Sequence, residues 1–537
     1  MKTSMKMKKT GAAAALLSLT LAAAALLPAC TDDKEDLSVR GIALSQESLT
    51  LKPGGRQALS VTFYPANAAN QEVRWSTSSA EVATVAGGEV VALKPGSAVI
   101  TATAADGGEE AHCSVTVSTS DPVSVQGDVE GTWSKYSVIS VTGHLRVPAG
   151  KALTIEEGVE VIISTAGQDE NGTKVELIVD GNLYCYGTAE APVTFTVPAA
   201  ERTAENTFAR LWGGIIGSET CAEILLDHAL VEYTGAVTTV TSPSVTKGLF
   251  KSEGGEGMVA FNTNNPSGSY VIVNSTFRST GEDAIYVQGG RCLFAHNFFY
   301  ACGEAGGEAI NVKAGCKVDA AYNLMYSPNT NGFKLSNSGA SETRAQAQIN
   351  AYNNTIVNAG WRRDPNKPKG GSVWAESGCL VNVYNNLIVS CMFAAKAPDF
   401  GVDAGEGPDL NSHIDYSYYA SGTVASSVAQ HVANGTTTAY DGFRSGVTDV
   451  VYGDHDVRGA SAGVGDPLFV SFPFADNPPL SYTYSAAWDF HLRPGSPALT
   501  GAFTGFTPYF SNPGITVNGK EYKSPAPSAY FGAFGSN

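Results

Sequence analysis

Between residues 38 and 120, apolar and polar side chains alternate in short runs separated by turn residues. Leu49-Thr50-Leu51 leads into Pro53-Gly54-Gly55. Leu59 to Phe63, Val73 to Ser76, Ala83 to Val85, Val90 to Ala92, Ala98 to Thr103 and Cys113 to Val117 follow. Runs of this length and period-two pattern predict strands, and their spacing predicts a small β-sandwich with Trp75 in its core. From residue 124 onward the pattern becomes a repeat. Val273-Asn274-Ser275-Thr276-Phe277, His296-Asn297-Phe298-Phe299-Tyr300, Tyr322-Asn323-Leu324-Met325-Tyr326, Asn353-Asn354-Thr355-Ile356-Val357 and Asn385-Asn386-Leu387-Ile388-Val389 are versions of one segment. A second strand recurs between them, at Ala284-Ile285-Tyr286-Val287, Ala309-Ile310-Asn311-Val312, Gly332-Phe333-Lys334-Leu335 and Ser372-Val373-Trp374-Ala375.

The repeat is about 22 to 32 residues long, too long for one hairpin and right for one coil of a solenoid. A parallel β-helix satisfies it, because each coil buries its inward side chains on the coils above and below. One column runs through Ser275, Asn297, Asn323, Asn354 and Asn386, and His228 is placed in it. Amides at one corner of every coil can hydrogen-bond along the stack, and Asn tolerates left-handed backbone at such a corner. The column therefore reads as structural. Ile285, Ile310, Phe333 and Val373 are expected to point inward in one layer, which turns Tyr286, Asn311, Lys334 and Trp374 outward.

The first region resembles the bacterial immunoglobulin-like domain, group 2, through Leu51 with Pro53-Gly54, Pro65, Trp75-Ser76 with Ser78, Val82-Ala83-Thr84-Val85, Gly88 and Pro95-Gly96-Ser97-Ala98-Val99-Ile100-Thr101-Ala102. That resemblance implies a spacer or adhesive module without catalysis. The second region opens with Val147-Pro148-Ala149-Gly150, Leu153-Thr154-Ile155-Glu156 and Leu177-Ile178-Val179-Asp180-Gly181-Asn182. It closes with Asp466-Pro467-Leu468-Phe469 and Asp489-Phe490-His491-Leu492-Arg493-Pro494-Gly495-Ser496-Pro497. It is similar to the right-handed parallel β-helix proteins of the pectin-lyase-like superfamily, as found in Bacteroidetes surface lipoproteins. That fold carries lyases, hydrolases, epimerases and adhesins, so the resemblance implies architecture rather than chemistry. The chain thus reads as all-β: an N-terminal Ig-like sandwich over 38–120, followed by a right-handed parallel β-helix over 124–537.

The N-terminus adds a location. Lys2, Lys6, Lys8 and Lys9 precede an apolar run from Gly11 to Leu27, which ends at Leu27-Pro28-Ala29-Cys30. A basic start, a short apolar stretch and a small residue before the cut describe an export signal, too short for a spanning helix. With Cys directly after Ala29 it resembles a bacterial lipoprotein signal, 1–29, which implies lipid attachment at Cys30. Residues 30–37, with Asp32, Asp33, Glu35 and Asp36, then resemble an acidic surface-export tether. The expectation is a protein anchored in the outer membrane and exposed on the cell surface. The chain carries a formal charge of −17, and losing the leader's four lysines makes it more acidic still, which argues against nucleic-acid partners. Only 16% of residues are charged against 43% hydrophobic, as suits an exported all-β chain. The eight remaining Cys lack any metal or redox spacing and read as small buried fillers.

Candidate chemistry is sparse. Enzymes of the similar superfamily use an Arg or Lys base with calcium-binding carboxylates, or clustered Asp residues. Lys334 and Glu376 could join such a site, but no stacked Asp pair accompanies them, and no catalytic residue is assigned. Glu282, Asp283, Glu304 and Glu308 fall in turns and read as solvated. The Gly-punctuated loop with Asp399, Asp403, Glu406 and Asp409 could hold calcium but reads more simply as a plain acidic loop, and Asp454-His455-Asp456 is a slight metal hint. No cofactor or metal ligand is assigned. Tyr286 and Trp374, with Asn311, Lys334 and Glu376, form a stripe suited to sugar rings, which stack apolar faces and hydrogen-bond through hydroxyls. The basic loop from Trp361 to Lys369 would border it. The expected partner is an extracellular polysaccharide or host glycan. A polysaccharide lyase or glycoside hydrolase, and a structural surface protein without a groove, are the alternatives.

Overall fold

A computed structural model describes residues 37–252, 257–304, 306–363, 370–421, 430–433, 436–439, 449–458, 465–475 and 481–536. Cys30 and most of the 361–369 loop lie outside them. The first domain pairs a sheet of Ser48–Leu51, Glu110–Val117, Gly96–Ala104 and Val73–Thr77 with a smaller one of Arg56–Ala58, Glu89–Ala92 and Ala83–Ala86. Leu49, Val90, Ile100, Cys113 and Val115 fill the space between. Trp75 is only partly buried and packs against this core rather than at its centre. The alternation read from the sequence is the alternation of burial in Gly96–Ala104 and Glu110–Val117.

From Val123–Asp128 onward the chain winds into a parallel β-helix with three rows of strands. The back row is a ten-stranded sheet. The other two rows join in one eighteen-stranded sheet, and successive coils pair in parallel throughout. The front row includes Phe261–Thr263, Ile285–Val287, Ile310–Val312, Asn331–Ser336 and Gly371–Glu376. The middle row includes Thr276–Thr280, Phe298–Cys302, Leu324–Tyr326, Thr355–Val357 and Leu387–Val389. Ile285, Ile310, Phe333 and Val373 stack register on register and are buried in the continuous interior core, as the pattern predicts. The eight cysteines are free and buried.

The Asn column is a hydrogen-bonded ladder. Asn297 Oδ1 accepts from the Ser275 amide at 2.9 Å, Asn323 Oδ1 from the Asn297 amide at 3.0 Å, Asn354 Oδ1 from the Asn323 amide at 3.0 Å, and Asn386 Oδ1 from the Asn354 amide at 3.0 Å. Two details correct the sequence reading. The column's member in the coil before Ser275 is Ala229, whose amide donates to Ser275 Oγ, so His228 stands one residue off. The left-handed backbone falls on the preceding residue, at His228, Asn274, His296, Tyr322, Asn353 and Asn385, with φ between 50° and 59°. Ladder and corner are thus two adjacent columns.

After Tyr418–Ala420 the described chain leaves the coil and residues 465–536 run outside it. Phe510, Ile515 and Val517 cover the back row at Leu225, Val271 and Leu293. Phe469, Phe490 and Trp488 cover the middle row at Tyr326, Val357 and Leu387. The turn at Asn518 reaches the Glu223 carboxylate, donating from its amide at 2.9 Å. This tail leaves the front row to other segments.

Candidate functional site

Register places Asn262, Tyr286, Asn311, Lys334 and Trp374 in adjacent coils on the outer side of the front row, so they stand about 4.8 Å apart along the axis. Glu376 follows two residues after Trp374. The expected residues are therefore brought together, but the stripe is not open. Upstream, the segment around Leu249, Phe250 and Met258 lies over Ile178 and Ile216 and reaches Tyr286. Glu176 holds that segment down: its carboxylate accepts from the Ser244 amide at 2.8 Å and from Ser244 Oγ at 3.2 Å. Burial pushes the Glu176 carboxyl up to about 7, against these hydrogen bonds. Tyr286 lies beside a cavity of about 530 Å³ whose wall carries Leu249, Phe250 and Lys251.

Downstream, Trp374 donates from Nε1 to Glu376 Oε2 at 2.6 Å, and Glu376 Oε1 pairs with Lys334 Nζ at 3.4 Å. The Lys334 and Glu376 side chains are only 15% and 22% exposed. Lys396, whose backbone bridges to Trp374, places its ammonium 4.3 Å from the Trp374 ring centroid. The indole is held on two sides. Lys313, two residues beyond Asn311, sits 5.6 Å from the Tyr286 ring centroid. Burial lowers its pKa first, and the charge of Lys334 lowers it further. The row is a recessed polar floor.

The turn carboxylates are the main correction. Glu304 is exposed, as expected, but Asp283 and Glu308 are each 7% exposed. Asp283 Oδ1 accepts from the amides of Gly307 and Glu308 at 3.2 and 2.9 Å, and Oδ2 accepts from Asn311 Nδ2 at 2.8 Å. Burial raises the Asp283 carboxyl well above the usual range, and the charge of Glu308 and a hydrogen bond to it raise it further. Asn331 Nδ2 donates to Glu308 Oε1 at 3.2 Å. Glu282 pairs with Arg210 at 2.8 Å and fits against Gly306, where a Cβ would come within 2.1 Å of Oε2. The sequence reading missed this cluster because carboxylates in turns between strands are ordinarily solvated. Its one signal was that Asp283 and Glu308 each stand two residues before an inward Ile.

The other expected sites resolve into structure. Arg362 points inward, donating to the carbonyls of Cys302, Gly303 and Ser327, and burial lowers its pKa to about 10. Of the basic loop, only 361–363 is described, and there Arg362 turns inward rather than toward the stripe, while Trp361 packs against Met392 and Phe393. Asp399 and Asp409 accept from nearby amides as turn caps. Asp456 caps the amides of Ser417 and Gly453, and His455 pairs with Asp415 at 2.7 Å. Among the described residues no group of three or more His, Cys, Asp or Glu could hold a metal ion.

Comparison with known proteins agrees with this architecture. Residues 38–115 match the family described as bacterial Ig-like domain (group 2), and residues 231–412 match the right handed beta helix region. The chain is an Ig-like module joined to a right-handed β-helix. A minor capsid protein of Enterobacteria phage T3 is 45% identical over 67 residues, 12% of this chain and 15% of that protein. An Ig-like virion protein of Serratia phage KSP90 is 37% identical over 84 residues, 15% of this chain and 33% of its own length. The chain therefore spans at most a third of these relatives. Among the described residues no helix is long and apolar enough to cross a membrane.

Proposed function

We propose that this chain is a cell-surface lipoprotein that binds an extracellular glycan or host-surface ligand along the front row, with the Ig-like domain as spacer. The carrying observation is the recessed floor from Tyr286 to Trp374, where two aromatic rings flank amide, ammonium and carboxylate groups. Such a mixture suits saccharides, which offer apolar faces and hydroxyl edges. The leader and Cys30 support display outside the cell. The two phage relatives are virion components, and a module of that kind fits a spacer without chemistry.

Lyase or hydrolase action is favoured by one observation, the buried carboxyls Asp283 and Glu308. Burial and the charge of Glu308 raise the Asp283 carboxyl well above the usual range, which favours an acid form within the floor. A hydrolase pair flanks its bond at about 5–9.5 Å. Binding is the better reading. A glycan array on the purified chain, followed by affinity measurement on each hit, tests it: Trp374→Ala should weaken binding by about 1–3 kcal/mol, the scale of a packed aromatic. Cleavage of a polyuronate into unsaturated products would replace this reading with a lyase, and Lys334 would be the first base to test.

A further inference from the structure

A second concavity lies on the middle row. Its outward column runs Glu232, Arg278, Tyr300 and Tyr326 through successive coils. The tail covers Tyr326 with Phe472, Tyr482, Tyr484 and Trp488. It stops short of Arg278, and the segment around Arg202 to Ala209 rises opposite. Between them is a cavity of about 770 Å³ lined by Arg202, Phe208, Tyr233, Arg278, Tyr300 and Tyr484 among others. That size holds one or two sugar rings.

Three features define its occupant. Phe208, Tyr300 and Tyr484 are half-buried and give the lining an apolar, aromatic component. Tyr300 is fixed, because it stacks on Tyr484 at 4.5 Å and its hydroxyl accepts from Arg278 at 2.9 Å. The hydroxyls of Tyr233, Tyr482 and Tyr484 line the same space and have no hydrogen-bond partner among the described residues. A ligand rich in hydroxyls would satisfy them. The charges are already balanced: Arg202 pairs with Glu160 at 2.6 Å, Arg278 pairs with Glu232, and Glu205 and Glu304 add negative charge at the rim. No surplus of positive charge is left for a uronate, sulfate or phosphate. We infer that this cavity is a binding subsite for a neutral saccharide, on a different strand row from the front floor and independent of the reading given to it.

The test uses the full chain, titrated with neutral hexasaccharides of glucan, mannan, galactan and xylan type, and with a hexagalacturonate as the anionic comparison, at up to about 10 mM, where weak saccharide sites fill. At least one neutral probe should bind. Tyr484→Ala should weaken it about tenfold or more. The double variant Tyr233→Phe/Tyr484→Phe, which keeps both rings, should weaken it at least about threefold with an unchanged unfolding midpoint. In a Trp374→Ala background, which removes the front-row aromatic, the tyrosine variants should weaken neutral binding by the same factors, which separates the cavity from the front row. The inference is overturned if no neutral probe binds, if only the uronate responds to the tyrosine variants, or if neutral binding survives both tyrosine variants.

Discussion

Asn354→Ala tests whether the amide ladder holds the coils together. Asn354 and its neighbours Asn323 and Asn386 are fully buried. Asn354 Oδ1 accepts from the Asn323 amide at 3.0 Å and from Asn323 Nδ2 at 2.9 Å. Its own Nδ2 donates to the Ala320 carbonyl and to Asn386 Oδ1, both at 3.0 Å. Truncation leaves the Asn323 amide without its acceptor, and Nδ2 of Asn323 keeps only the Phe294 carbonyl. One orphaned buried donor costs about 1–3 kcal/mol, and each further lost bond about 1 kcal/mol. With three further bonds lost besides the orphaned amide, the expected loss is about 4–6 kcal/mol. In a solenoid it should appear locally first, because each coil contacts only its neighbours. Native-state hydrogen exchange is the suitable assay: the Asn323 amide should exchange faster by on the order of a hundredfold or more, and the unfolding midpoint should fall. His228→Asn is the internal control. It stands in the left-handed corner column, where Asn is at home, and should change stability by less than about 0.5 kcal/mol. A loss below about 1 kcal/mol for Asn354→Ala, or equal losses for the two variants, would refute the ladder as a stabilising device.

Two further outcomes are expected. Glu176 has a folded pKa of about 7 against an ordinary value of 4.5, so its contribution is fully present below about 4.5 and is lost as pH rises through about 7. Glu176→Gln should thus gain on the wild type by on the order of 2–3 kcal/mol between about pH 5 and pH 8; parallel melting curves at both pH values would show that burial of this carboxyl is not what limits the segment. Cys30→Ser should move the protein from the membrane fraction to the soluble fraction, since acyl chains bind at about 0.8 kcal/mol per CH₂, and unchanged fractionation would remove the lipid anchor.

The parts of the fold that repeat were legible. Ile285, Ile310, Phe333 and Val373 could be assigned one layer because each occupies the same place in its coil. The ladder could be found because its side chains are nearly all Asn. Its one miss follows from the same rule: the coil of His228 has Ala229 at the ladder position, so the eye moves to the nearest polar residue. What did not repeat was not legible. The exposure of Tyr286 and Trp374 is set by Leu249, Phe250 and Lys396, which come from insertions of no fixed length. The inward turn of Arg362 depends on carbonyls at Cys302, Gly303 and Ser327, and on Phe208 and Tyr482 against its guanidinium. No period links those partners. The middle-row cavity needs Tyr300 and Tyr484 together, far apart in sequence, and the alternation of either strand says nothing of the other.

The distribution of covering segments argues where function resides. The tail spends its aromatic residues on the back and middle rows, whose outward residues include Leu225, Val271, Leu293, Val357 and Leu387. Such apolar faces would otherwise meet water, and covering them stabilises the fold at roughly 25 cal/mol per Å². The front row has the opposite character. Its outward residues from Asn262 to Trp374 are polar or amphipathic, and Asn311 Oδ1, Asn331 Oδ1 and Ser372 Oγ are buried there without a hydrogen-bond partner. Each such atom costs about 1–3 kcal/mol that a different side chain would avoid. A row built only for stability would carry Val and Ile, as it does at Ile178 and Ile216 under their own cover. The change of character between Ile216 and Asn262 is where the outward face of the row turns from apolar packing to polar side chains, which supports the proposal that ligand binding falls on the front row.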